Sequence, residues 1–140
     1  MKNKDAFGHV RGESLFVDDI AVKQGTLHSI VFDSTCAHGK ITHIDYSKAE
    51  ALAGVVKIIT KNDVTGENQI GGILPDEPLF AENEVHFSGQ PIALIVAKTL
   101  AIAKKAKLLI DISFDELPVI TTAKEAYNKG NLLMLHVNLA

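Results

Sequence analysis

A single cysteine, Cys36, is all the thiol this 140-residue chain contains. One thiol forms no internal disulfide, and four thiolates for an iron–sulfur cluster are not available here. No apolar run approaches the roughly 18 residues that cross a bilayer, and Met1 to Val10 lacks the apolar core of a secretory leader. The expected setting is therefore reducing and cytoplasmic, with no membrane partner. Charge of one sign is scarce too. Fourteen basic and 17 acidic residues leave a net charge of −3, which is no footprint for nucleic acid. The densest basic cluster, Lys104, Lys105 and Lys107, falls on the polar side of a helical pattern and reads as a solvated face. Internal repeats, low-complexity tracts, phosphate loops and dinucleotide fingerprints are all missing.

What is present is the patterning of a globular domain. Apolar residues make up 46% of the chain, and its length fits one domain, residues 1–140, able to bury roughly two-thirds of its unfolded surface. Residues 1 to about 20 read as an irregular lead-in with one apolar piece, Leu15 to Val17. Leu27 to Asp33 is β-branched and aromatic and predicts a strand. Lys40 to Tyr46 predicts another, although Ile41 and Ile44 break the period of two. Ser47 and Glu50 have capping-box spacing, so a short helix is expected, stopped by Gly54. Val55 to Thr60 then reads as a buried strand.

A second strand–helix–strand unit follows. Gly89-Gln90-Pro91 leads into an apolar run ending at Ala97. Pro91 suits the first position of a strand because it has no amide proton to donate. Gln90 is expected to tie this corner to the loop before it. Thr99 caps a helix with Ile102, Ala103, Ala106, Leu109 and Ile110 on one face. Ile110, Ile112 and Phe114 alternate along a further strand, ended by Asp115 to Pro118. Thr122 and Glu125 repeat the capping-box spacing, Gly130 closes the last helix, and residues 131–140 read as an irregular tail. The fold class is α+β, a mixed sheet with two strand–helix–strand units.

Chemistry is harder to find. The histidines are His9, His28, His38, His43, His86 and His136. None forms a HExxH motif or a zinc-finger pair with Cys36, and His38 and His43 fall on opposite faces of a strand, so no metal ligands are expected. Adjacent carboxylates at Asp18–Asp19, Asp76–Glu77 and Asp115–Glu116 point to opposite sides of extended backbone and make no acid–base dyad. Cys36 and His38 share a face, but nothing orients them, and Cys36 reads as a half-buried thiol. No catalytic or cofactor-binding residue is assigned. The stretch Asn62 to Asn83 stands out, with three glycines, two prolines and no period. A loop of that length in a small domain is often functional. Its Ile73, Leu74, Leu79 and Phe80 either fold back on the core or form an interface or substrate-channel wall.

Five stretches occur in a telling order: HVRGESLFVDDI (His9 to Ile20), AHGKI (Ala37 to Ile41), GVVKIITKNDVTGEN (Gly54 to Asn68), PDEPLFAENEVHFSGQPIALIVA (Pro75 to Ala97) and DELPVI (Asp115 to Ile120). Together they resemble the N-terminal α/β-hammerhead domain of the xanthine dehydrogenase and aldehyde oxidase family, over nearly the whole chain. The resemblance implies an α/β-hammerhead fold. It implies a molybdenum hydroxylase that oxidises purines or aldehydes with molybdopterin, takes oxygen from water, and passes electrons through [2Fe–2S] clusters to FAD or another acceptor. In that family the hammerhead domain packs against the later domains that hold the pterin and the catalytic glutamate, and supplies neither. The implied partners are therefore the remaining molybdopterin-binding domains and the iron–sulfur and flavin units. The chain alone is expected to be inactive, as an excised domain or a truncated frame. Alignment on Asp76-Glu77 and Phe80-Ala81 places Ile73 and Leu74 where two apolar residues line the funnel to the molybdenum, with Pro75 in place of the family's Asn. The alternative is a non-enzymatic interaction or scaffold module built on the same fold.

Overall fold

The computed structural model of the protein describes residues 6–73 and 76–130. In chain order it contains α1 (Ala6–Arg11), β1 (His28–Asp33), β2 (Gly39–Asp45), α2 (Ser47–Glu50), β3 (Val55–Ile59), β4 (Glu84–Val85), β5 (Pro91–Ala97), α3 (Leu100–Lys107), β6 (Asp111–Glu116) and α4 (Ala123–Lys129). The α+β hammerhead class holds. The strands, however, do not share one mixed sheet. They divide into two antiparallel sheets of three, in the orders β1-β5-β3 and β4-β2-β6. The reason lies in the connections. Each strand–helix–strand unit leaves one sheet and enters the other: β2 and β3 are joined through α2, and β5 and β6 through α3. Neither unit is a parallel crossover within a sheet.

The apolar run Pro91–Ala97 becomes the central strand, with Ile92, Ala93, Ile95 and Ala97 buried. A central strand paired on both edges, with Ala93, Ile95 and Ala97 covered on one face and Leu94 and Val96 half-buried on the other, leaves little to water and so reads as an apolar run. Helix α3 packs on β1 and β5. Ala103 and Ala106, which face inward, are fully buried and small enough to let the helix lie close. Fully burying a side chain such as Ile95 contributes roughly 1.5–3 kcal/mol. Val85, Phe32 and Ile58 complete this core, and Ile41, Ile44, Ile112 and Phe114 pack against it from the second sheet.

Local signals met the structure unevenly. The break in period at Ile41 and Ile44 is a β-bulge: Ile41 pairs with Phe114 and His43 with Ser113, leaving Thr42 extra. One extra residue restores both isoleucines to the core side. The capping box at Ser47 does not form. Tyr46 is already helical at φ −97°, ψ −7°, so Ser47 sits inside the helix, and its amide and hydroxyl both donate to the Asp45 carboxylate at 2.9 Å. Gly54 does take a left-handed φ of 96°. A Cβ there would stand 2.6 Å from Cδ1 of Ile102. β3 is an edge strand, not a buried one, with Val56 50% exposed. Thr99 and Thr122 cap α3 and α4 by accepting from the amides of Ile102 and Glu125, and Gly130 closes α4 at φ 71°. α3 ends at Lys107, short of Leu109. The lead-in contains α1, none of whose residues is buried, so no apolar face announced it.

Candidate functional site

The long loop is built from polar anchors. Thr60 and Asp63 cap each other around the turn Lys61–Asp63, and Lys57 pairs with Asp63 at 2.6 Å. The Asn68 carboxamide then brackets Phe80: its nitrogen donates to the Phe80 carbonyl at 2.8 Å and its oxygen accepts the Phe80 amide at 2.9 Å. Ile70 donates to Glu77 and Leu79 to Asn68 through their main chains. The loop therefore doubles back on itself, and residues 68–70 lie beside 77–80.

This geometry divides the loop's apolar residues. Phe80 and Ala81 fold into the core, while Leu79 lies partly exposed and Ile73 stands 98% exposed near the apex. Leu74 lies outside the described residues. Asn68 carries the loop's base, and nothing in the sequence distinguishes it from any other loop asparagine.

A second constellation sits at the start of β2 and around β4. His38 precedes β2, Glu84 opens β4, and His86 follows it. Pairing of Gly39 with Val85 and of Lys40 with Glu84 draws them together. Nε2 of His38 lies 3.1 Å from Oε1 of Glu84, and Nδ1 of His86 lies 3.7 Å from the same oxygen. Nδ1 of His38 lies 2.9 Å from the Pro118 carbonyl. That carbonyl and, after it, the Glu84 carboxylate hold the His38 pKa above its ordinary value. The amide of His86 donates to Oε1 of Gln90 at 2.7 Å. Gln90 thus ties the turn at its own corner, not the long loop before it. Glu67, Asp76, Glu77, Glu82 and Glu84 line the adjoining cleft, of about 620 Å³, with His86 at its edge.

The sequence paired His38 with neighbours in the chain. The structure gives it partners across a sheet instead. His43 is exposed on β2 and takes no part. Cys36 is buried, its thiol against Gly39, and does not pair with His38. The partnership with Glu84 spans 46 positions, beyond the reach of any spacing rule. No helix among the described residues is long and apolar enough to cross a membrane.

Residues 11–118 match the family model described as aldehyde oxidase and xanthine dehydrogenase, a/b hammerhead domain. The chain is 41% identical over 119 residues to xanthine dehydrogenase 1 of Arabidopsis thaliana, covering 85% of itself and 9% of that protein. It is 40% identical over 126 residues to aldehyde oxidase 4 of Mus musculus, covering 89% and 9%. The aldehyde oxidoreductase from Desulfovibrio gigas superposes with a TM-score of 0.71 at 31% identity, over 82% of this chain and 14% of that one. The chain thus spans about a tenth of the length of such relatives. Its two antiparallel sheets, the helices joining them and the match across both show that the chain belongs to the aldehyde oxidase and xanthine dehydrogenase family, as its hammerhead domain.

Proposed function

We propose that the chain serves as the hammerhead domain of a cytoplasmic molybdenum hydroxylase that oxidises purines or aldehydes, with a structural and substrate-guiding part in it. The family match over residues 11–118 carries this reading, and the surface supports it. Leu15, Phe16, Val17, Ile20 and Val22 are all exposed along the lead-in. An apolar stretch of that kind suits burial under a neighbouring domain, here the rest of the molybdopterin-binding region, with iron–sulfur and flavin units beyond it. Ile73 and Leu74 would form an apolar wall of the substrate funnel, suited to a flat heteroaromatic ring.

The residues of this chain do not fit the molybdopterin itself. Its phosphate is an anion, whereas the cleft beside β4 is walled by carboxylates, and the one thiol is buried. The cofactor belongs to other domains, and no step of the oxidation is assigned to this chain.

Co-expression with the remainder of a molybdenum subunit of the family tests the reading. A stable complex should form and oxidise xanthine or an aldehyde, while the chain alone should be inactive. Ile73→Asp should raise KM for a heteroaromatic substrate with little change in kcat. Losing roughly 50 Å² of apolar contact at 25 cal/mol per Å² corresponds to about 1.3 kcal/mol, close to tenfold. A folded chain that forms no complex would overturn the assignment. An unchanged KM in an active complex would remove the funnel role alone.

A further inference from the structure

Both ring nitrogens of His38 face oxygen atoms that accept hydrogen bonds. Nδ1 lies 2.9 Å from the Pro118 carbonyl and Nε2 lies 3.1 Å from Oε1 of Glu84. A neutral imidazole carries one N–H. The carbonyl and the ionised carboxylate both only accept, so a neutral ring serves one of them and turns a lone pair towards the other, a gap that a second proton or a metal ion fills. A positive charge belongs between them. His86 adds a third donor: its Nδ1 is 3.7 Å from the same carboxylate oxygen, and one ligand atom from each of the three residues lies within 4.8 Å of the others. In a tetrahedral zinc site with bonds near 2.0–2.1 Å, neighbouring ligand atoms stand roughly 3.3 Å apart. The edges at 3.1 and 3.7 Å lie on either side of that value.

We propose that His38, Glu84 and His86 form a two-histidine, one-carboxylate site for a divalent transition metal of zinc type, with a fourth position open to water. The supporting framework is already in place. The Pro118 carbonyl fixes the His38 ring so that Nε2 is the ligand atom, the kind of outer contact that metal-binding histidines ordinarily have. The ladder between β2 and β4 sets Glu84, and the Gln90 carboxamide holds the main chain of His86. Glu67, Asp76, Glu77 and Glu82 line the adjoining cleft and make its field attractive to a cation. Two imidazole nitrogens favour zinc, nickel or copper over calcium or magnesium, which take oxygen ligands. His86 has 61% of its side chain exposed, so an ion has a route in from solvent. Bound there, it would cross-link the start of β2 to β4 and to the turn after it.

The test uses the 140-residue chain, without an affinity tag and stripped of metal. Calorimetric titration with zinc should give one equivalent per chain, zinc should raise the melting temperature, and cobalt should produce the visible absorption of a tetrahedral ion. His86→Ala and Glu84→Gln, both at accessible positions, should each weaken zinc binding roughly tenfold or more. His43→Ala, on exposed β2 surface, should leave it unchanged. A folded wild-type chain that binds no zinc overturns the proposal, because a proton then fills the gap at His38. So does binding that survives both substitutions, which would place the ion elsewhere.

Discussion

Gly39 and Gln90 hold their places for reasons that only the folded chain displays. A Cβ on Gly39 would lie 2.9 Å from the Asp115 carbonyl oxygen and 2.9 Å from the Cys36 sulfur. The carbonyl belongs to the paired strand and cannot yield. Gly39→Ala is expected to cost about 1–3 kcal/mol by overpacking, read as a lower midpoint in urea. Gly66→Ala is the matched control: nothing lies within 4 Å of its Cβ position and its φ is not left-handed. It should be neutral or stabilise by roughly 0.4–1 kcal/mol through the unfolded chain. Equal effects at the two positions would refute the steric account. At the corner, Gln90 is 3% exposed and accepts the His86 amide. Gln90→Ala leaves that donor unmade and should cost about 1–3 kcal/mol, and an unchanged midpoint would remove the hydrogen bond from the account. The sequence shows that a turn precedes Pro91. It does not show which amide the carboxamide finds, because that choice follows from Gly89 at φ 92° and from how the turn seats on Ser34.

Most local signals were legible, the capping box at Ser47 excepted, while features set by long-range pairing were not. The caps at Thr99 and Thr122 and the stop at Gly130 need only a few neighbouring residues. The bulge at Thr42, the exposed edge of β3 and the two-residue β4 depend on partner strands far away in the chain. Lys107 shows the same limit. The helical pattern puts it on a solvated face, and in the structure it reaches across to pair with Asp33 and joins α3 to β1. That hydrogen bond is the main reason the Asp33 carboxyl lies below its ordinary pKa. A depressed folded pKa means that the stabilisation is fully present above the unfolded value, near 3.9, and is lost as pH falls through the lower folded value. Both side chains are about one-third exposed, so the pair is expected to contribute no more than about 1 kcal/mol. Melting temperatures taken from pH 6 to pH 2 should show the wild type losing more stability than Asp33→Asn below about pH 4. Parallel curves would show that the pair does not hold the helix to the strand.

At the scale of the whole molecule, family membership was legible and assembly was not. Of the five ordered stretches, the four from Ala37 onward fall on strands and corners of the two sheets, while the first, His9 to Ile20, lies in the lead-in outside both. The convergence of His38, Glu84 and His86 came from pairing β2 with β4, which no local period announces. The lead-in's Leu15, Phe16, Val17, Ile20 and Val22 are exposed, and none belongs to the core cluster of the described residues. Leu15 and Val17 are among the most exposed apolar residues described, with neither packed in the core cluster. In the free chain, Leu15→Glu and Val17→Glu should therefore change stability by no more than about 0.5 kcal/mol, as surface substitutions do. In a complex with the rest of a molybdenum subunit the same positions would be buried. Each polar replacement would then forfeit roughly 1.5–3 kcal/mol of apolar burial, at least tenfold in the dissociation constant. The two measurements must diverge. If both substitutions leave association unchanged, the lead-in faces solvent in the assembled protein. If they lower the stability of the free chain instead, it packs on its own domain, and the docking surface has to be sought around Ile73.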